Sequence, residues 1–94
     1  MHTYSESKGA LKMITAFVLI KNLPGKEYSI LKKLENIIEI NEIYPIFGEY
    51  DFLVIIKAKN IELIGGILIK KIRIIDGVID TITLTETIIS NNLQ

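Results

Sequence analysis

The chain contains 94 residues, of which 49% are hydrophobic, and it has eleven basic side chains, eleven acidic side chains and no cysteine. This length predicts a single domain, and zero net charge argues against a free-standing nucleic-acid-binding protein, which needs an excess of Lys and Arg to neutralise phosphates. Without cysteine and with one histidine, the chain can form neither a disulfide framework nor a thiolate or His-rich zinc site, so we expect no metal and no cofactor.

The first part of the chain predicts an arm, a strand and a helix. Residues 1–12 are polar and lack periodicity, so we interpret them as a flexible N-terminal arm before a single domain over residues 13–90. The β-branched run Ile14 to Lys21 predicts a strand, which the turn residues Asn22-Leu23-Pro24-Gly25 end. Apolar residues at three- and four-residue spacing then predict an amphipathic helix from Lys26 to Ile38.

The rest of the chain predicts three strands and a second helix. Two strands are expected at residues 41–47 and 50–59, with a tight hairpin at Gly48-Glu49 between them. The second helix is expected from Asn60, a favourable N-cap, to about Ile74. The last strand is expected from Val78 to Ile89.

The second helix has two unusual features. Gly65-Gly66 lies inside it, and because glycine is unfavourable in a helix, we interpret the pair as a point of close helix packing rather than a phosphate-binding loop. The segment Lys70-Lys71-Ile72-Arg73 is basic, and on a neutral protein we interpret it as a solvated helix face. The apolar stripe of this helix is expected to consist of Ile61, Ile64, Leu68 and Ile72.

The order βαββαβ predicts an α+β domain of ferredoxin-like architecture, with two helices on one face of a four-stranded antiparallel sheet. Its strand order, 4-1-3-2, places strand 2 at an edge, where Pro45 can lack an N–H without breaking a ladder. The inner strands are apolar on both faces: Val18 and Val54 point one way, and Leu19 and Leu53 the other. Because helices cover only one face, we predict a homodimer at least, packed sheet to sheet.

The sequence contains neither a known catalytic motif nor an apolar stretch long enough for a membrane helix. There is no nucleophile elbow and no glycine-rich phosphate motif, and the one histidine, His2, lies in the predicted arm. The longest uncharged apolar stretches, such as Met13 to Ile20, are far shorter than the roughly 20 residues of a membrane helix. We therefore expect a soluble, cytoplasmic protein without a signal peptide.

Two segments are candidates for ligand binding, each with an alternative. The period-two row of Thr81, Thr83, Thr85 and Thr87 is either a strand of high β-propensity at a partly solvated edge or a row of hydroxyls beside a ligand. Gly48-Glu49-Tyr50-Asp51 is either a hairpin turn whose aspartate accepts a local N–H, or a pair of groups that hold both ends of an amino acid.

From Ile14 to about Ile88 the chain resembles the effector-binding (RAM) domain of Lrp/AsnC regulators. The similar motifs are Leu23-Pro24-Gly25, Tyr44 with Gly48-x-Tyr50-Asp51, and Gly77-Val78-x-x-Thr81-x-Thr83. The resemblance implies a sensor that dimerises through its sheet, assembles into higher homo-oligomers and holds an amino-acid effector between dimers. It implies ligand-binding roles for Gly48, Tyr50, Asp51, Thr81 and Thr83, whereas Thr85 and Thr87 lie beyond the motif.

The chain departs from full-length members of that family, because the twelve residues before Met13 are too few for a helix-turn-helix domain. We therefore expect a stand-alone sensing domain, without enzymatic activity, that does not bind DNA itself and can associate with full-length regulators of transcription. Two alternatives stay open. One is a small dimeric enzyme of the antibiotic-biosynthesis monooxygenase type, which shares the topology, and the other is a purely structural oligomerisation module.

Overall fold

A computed structural model describes residues 12–86, so most of the predicted arm and the end of the last predicted strand lie outside the described residues. The elements are β1 Ile14–Asn22, α1 Glu27–Glu35, β2 Ile40–Pro45, β3 Phe52–Ala58, α2 Ile61–Ile67 and β4 Val78–Thr85. Helix α2 continues directly as a π-helix over Leu68–Ile72. The predicted βαββαβ order is confirmed, and no helix within residues 12–86 is long and apolar enough to cross a membrane.

The four strands form one antiparallel sheet in the order β2-β3-β1-β4, which confirms the predicted ferredoxin-like topology. Pro45 ends β2, an edge strand, where it lies opposite Phe52. Its missing N–H therefore interrupts no internal ladder. At the other edge, β4 pairs only with β1, and this places the start of β4 beside the end of β1.

The core lies between the helices and one face of the sheet, which we call the covered face. Alternate residues of the two central strands point into it, and all of them are almost completely buried: Ala16, Val18, Ile20, Phe52, Val54, Ile56 and Ala58. The helices contribute Ile30 and Leu34 from α1 and Ile64 and Ile67 from α2. These aliphatic side chains fill the space between the two layers, since branched residues pack well on a pleated surface.

Both helices differ from the sequence predictions at their C-terminal ends. Helix α1 ends at Glu35 instead of Ile38, because the N–H groups of Asn36 and Ile37 bond to carbonyls three residues back and tighten the last turn. Ile38 is consequently 88% exposed. The prediction of one regular helix from Asn60 to Ile74 was wrong, although Asn60 does cap α2 by accepting the N–H of Leu63 at 2.8 Å.

The apolar stripe predicted for the second helix was wrong in part. Ile61 is half exposed, whereas Ile67, which was not in the predicted stripe, is buried. Interpreting Gly65-Gly66 as a close packing point was also wrong, since a Cβ added at either glycine would meet no heavy atom within 4 Å. The outer side of α2 is therefore open in this chain.

Gly77 joins the turn before α1 to the turn before β4. Its carbonyl accepts the N–H of Leu23 at 2.8 Å, and its φ of +99° lies in the region that favours glycine. A Cβ at this position would lie 3.0 Å from Cβ of Lys26. The Leu23-Pro24-Gly25 turn and the Gly77-Val78 turn therefore form one contact at the end of the sheet.

Candidate functional site

The segment between β2 and β3 forms a six-residue loop, Ile46 to Asp51, rather than the tight hairpin predicted at Gly48-Glu49. The loop is closed by a bond from the N–H of Ile46 to the carbonyl of Asp51, at 3.0 Å. Gly48 lies at its exposed tip with φ of +130°, a conformation that side chains with a Cβ rarely adopt. The loop therefore projects beyond the sheet at the end where β1 finishes.

Asp51 fixes this loop to β1. Its Oδ2 atom accepts the backbone N–H of Asn22 at 2.8 Å, and its own N–H donates to the carbonyl of Ile20 at 2.8 Å. One of the two sequence interpretations expected Asp51 to accept a local N–H. The carboxylate does accept a backbone N–H, but from a strand 29 residues away instead of from its own turn.

Tyr50 connects the same loop to β4. Its hydroxyl donates to Oδ2 of Asp80 at 3.1 Å, and Nζ of Lys21 lies 6.0 Å from its ring centroid. Partial burial and the neighbouring carboxylate of Asp80 raise the pKa of the Tyr50 hydroxyl. Lys21 also donates to the carbonyl of Glu49 at 3.2 Å.

Thr81 and Thr83 lie on β4, the edge strand on the other side of the sheet from β2. The register places them beside Ile20 and Val18, so their side chains share the covered face, where both are half-buried. They line a cavity of about 350 Å³. The other residues that line it are Leu68, Arg73, Val78, Ile79 and Asp80.

The five predicted ligand-binding residues therefore fall into two groups within this chain. Gly48, Tyr50 and Asp51 form the loop, whereas Thr81 and Thr83 line the cavity, and none of the three loop residues lines it. Asp80 links the groups, because it borders the cavity and accepts a hydrogen bond from the Tyr50 hydroxyl. Their roles in binding stay predictions.

Asn22 lies at the junction of the two groups. It is 5% exposed, its N–H is held by Asp51, and it lies opposite Val78, which lines the cavity. Its side-chain Nδ2 donates to the carbonyl of Leu23 at 3.1 Å, but its Oδ1 has no hydrogen-bond partner among residues 12–86. A buried acceptor of this kind costs about 1–3 kcal/mol while unsatisfied. The sequence prediction did not include Asn22.

Arg73 is the second residue that sequence reasoning missed. The basic segment was interpreted as a solvated helix face, and its three cations, Lys70, Lys71 and Arg73, are all exposed. They differ in their neighbours, because Lys71 forms an ion pair with Glu39 at 2.8 Å and Arg73 lines the cavity. The hydrogen bond from Lys71 lowers the pKa of Glu39. No sequence pattern could have found the position of Arg73, because it depends on the π-helix.

This fold and cavity define a small α+β domain with a polar cavity beside its edge strand. The family model of the Lrp/AsnC ligand binding domain matches residues 15–91. The chain therefore belongs to the Lrp/AsnC ligand binding domain family. Among residues 12–86, no three His, Cys, Asp or Glu side chains come close enough to hold a metal ion.

Three similar proteins illustrate this membership. The HTH-type transcriptional regulator FL11 of Pyrococcus furiosus is 39% identical over 71 residues, which cover 76% of this chain and 46% of that protein. The structure of AsnC from E. coli matches with a TM-score of 0.74 and 30% identity, covering 78% of this chain and 50% of that chain. TTHA0845 from Thermus thermophilus matches with a TM-score of 0.76 and 26% identity, covering 82% of this chain and 96% of that chain. The chain thus spans about half the length of the HTH-type regulators it matches.

Proposed function

We propose that this chain is a sensing domain that binds a small effector of the amino-acid class and regulates transcription by associating with other copies or with full-length regulators. It does not contact DNA itself and has no catalytic role. The observation that carries the proposal is the cavity lined by Thr81 and Thr83 in a domain whose family is described by ligand binding.

The cavity suits a small polar molecule. Its volume of about 350 Å³ lies in the range of small-molecule sites. The hydroxyls of Thr81 and Thr83 can each donate and accept a hydrogen bond. An amino acid presents both donors and acceptors, so these side chains can orient it. Val78 and Ile79 supply apolar surface for the rest of the ligand.

The face of the sheet opposite the helices, which we call the open face, supports association. Its central apolar residues are Phe17, Leu19, Leu53, Ile55, Ile82 and Leu84. The register places Ile82 beside Leu19 and Leu84 beside Phe17, so these side chains are contiguous on the sheet. Ile82 is 39% exposed and Leu84 is 55% exposed. A contiguous apolar patch on one sheet face is typical of a protein interface. Sedimentation of a monomer at micromolar concentration would contradict this part of the proposal.

Two observations support a role without catalysis or direct DNA contact. The space between helices and sheet is filled by Ile, Val, Leu, Ala and Phe side chains, which offer no acid or base. The chain has no net positive charge, whereas DNA affinity depends largely on the neutralisation of phosphates.

Effector binding is tested with the twenty amino acids, each at millimolar concentration, in a thermal unfolding assay. A ligand that binds only the folded protein raises its stability by RT ln(1 + [L]/Kd), so at least one amino acid should raise the melting temperature. Thr83→Val should weaken binding of that amino acid by about five-fold or more, the effect of one lost hydrogen bond. Thr85→Val is the matched control, since Thr85 shares the same face but does not line the cavity. If no amino acid shifts the wild-type melting temperature, the sensing function is wrong.

A further inference from the structure

We propose that Arg73 binds the carboxylate group of the effector, with the hydroxyls of Thr81 and Thr83 beside it in the same cavity. This inference rests on the proposed function, because it presupposes that the effector occupies this cavity. It adds a residue from the second helix to a site predicted only from the loop and β4, and it defines the ligand class as small carboxylates.

The π-helix explains why Arg73 reaches the cavity. The N–H of Arg73 donates to the carbonyl of Leu68 at 2.8 Å, a bond that spans five residues. In an α-helix, residues five apart lie about 140° from each other around the axis, whereas this wider turn stacks them on one side. Leu68 and Arg73 accordingly line the same cavity. Wide turns of this type are frequent at functional sites.

Arg73 also has no ion-pair partner within the described chain. Lys26 and Lys71 pair with Asp76 and Glu39 at 3.0 Å and 2.8 Å, but no carboxylate of residues 12–86 lies within 4.0 Å of the Arg73 guanidinium nitrogens. Asp80, the other charged residue at the cavity, accepts a hydrogen bond from Tyr50. Asp80 thus lines the cavity without pairing with Arg73. The Arg73 guanidinium therefore has no ion-pair partner among these residues, although the cavity is lined by one cation and one carboxylate.

A carboxylate is the group that this arrangement fits best. Guanidinium is planar and can donate two parallel hydrogen bonds to the two oxygens of a carboxylate, and it remains charged at every physiological pH. A threonine hydroxyl beside it can donate a further bond to the same group. Leu68, Val78 and Ile79 leave apolar surface for the remainder of a small ligand.

The test compares each effective amino acid with its amide, in which the carboxylate is replaced by an uncharged group of similar shape. The amide should bind wild-type protein about ten-fold or more weakly, because hydrogen bonds to charged groups are the stronger ones. Arg73→Gln should weaken binding of the acid by a similar factor, and this variant should bind acid and amide alike. Lys70→Gln is the matched control, since it removes one positive charge three residues from Arg73, at an exposed residue that does not line the cavity.

The outcomes separate this inference from the function on which it rests. If acid and amide bind wild-type protein equally, or if Arg73→Gln binds the acid as tightly as Lys70→Gln does, the carboxylate assignment is wrong while the sensing function stands. If no amino acid binds wild-type protein, both fail. The comparison of acid with amide uses wild-type protein, so it decides the question even if Arg73→Gln does not fold.

Discussion

The covered and open faces of the sheet are built from the same kinds of residue but differ in what lies on them. On the covered face, Val18, Val54 and Ile56 are fully buried under the two helices. On the open face, the central alternate residues of the same strands are also apolar but only partly buried, and Leu84 of the neighbouring β4 is 55% exposed. Since alternation along a strand normally separates apolar from polar residues when one face meets water, the open face has the composition of a second core without its second layer.

The predicted site divides along a similar line. Asp51 and Tyr50 are engaged in bonds that hold the loop to β1 and β4. Thr81, Thr83 and Arg73 make no side-chain hydrogen bond to another group of residues 12–86 that would occupy them. The loop residues are therefore engaged in structural bonds, whereas these three polar side chains at the cavity have no such partner within the described residues.

The largest expected effect contrasts two neighbours on β3. Ile56→Ala removes a fully buried side chain from the covered face and should lower the free energy of unfolding by about 2–5 kcal/mol, because it leaves a cavity in the core. Ile55→Ala, on the open face, should lower it less but weaken self-association. Denaturant unfolding measures the first effect, and sedimentation over a range of concentrations measures the second.

The control for this contrast is the association of Ile56→Ala, which should remain that of wild type under conditions where the variant is folded. If Ile55→Ala associates as tightly as wild type, the open face is not the interface. If both variants lower the free energy of unfolding equally at low protein concentration, the side chains on the two faces are equally buried within one chain.

The fold was predictable because its signals are local and repeated. The β-branched and aromatic residues of β1 and β3 and the apolar spacing around Ile30 and Leu34 indicate strands and a helix without knowledge of the rest of the chain. Pro45 added an independent indication of which strand lies at an edge. By contrast, a π-helix has no period of its own in this sequence, so the position of Arg73 could not be predicted.

The binding roles of the five site residues stay predictions, and their arrangement could not be predicted from the sequence. The motifs indicated Asp51 and Thr83, but which of them share a cavity depends on strand register, which places Thr83 beside Val18 on the covered face. The bond from Asn22 to Asp51 joins residues 29 apart at an irregularity in β1, and a bulge of this kind has no sequence signature here.

A smaller effect is expected from Asp51, and it tests whether the loop is structural, ligand-binding or both. Asp51→Ala leaves the N–H of Asn22, which is buried, without its acceptor and should lower the free energy of unfolding by about 1–3 kcal/mol. Asp51→Asn keeps an oxygen for that N–H and should recover most of the stability. If Asp51 also binds the amino group of the effector, neither variant should bind amino acids in the thermal unfolding assay.

Unchanged stability of Asp51→Ala would show that the contact with Asn22 contributes nothing. Full effector binding by Asp51→Asn would restrict the site to the cavity and remove Asp51 from it. The two variants therefore distinguish a loss of structure from a loss of charge, which a single alanine substitution does not.

The smallest effect concerns the outer side of α2. Like the open face of the sheet, this side has no second layer packed on it within this chain. A Cβ on Gly66 would meet no heavy atom within 4 Å, so Gly66→Ala should raise the free energy of unfolding by about 0.5–1 kcal/mol by reducing the backbone entropy of the unfolded chain. Gly77→Ala is the opposite control, because φ of +99° and a contact of 3.0 Å with Lys26 make it destabilising. Thermal and denaturant unfolding measure both. A loss of stability in Gly66→Ala would mean that another layer packs on α2, so the helical side, and not only the sheet, would then be an interface between copies.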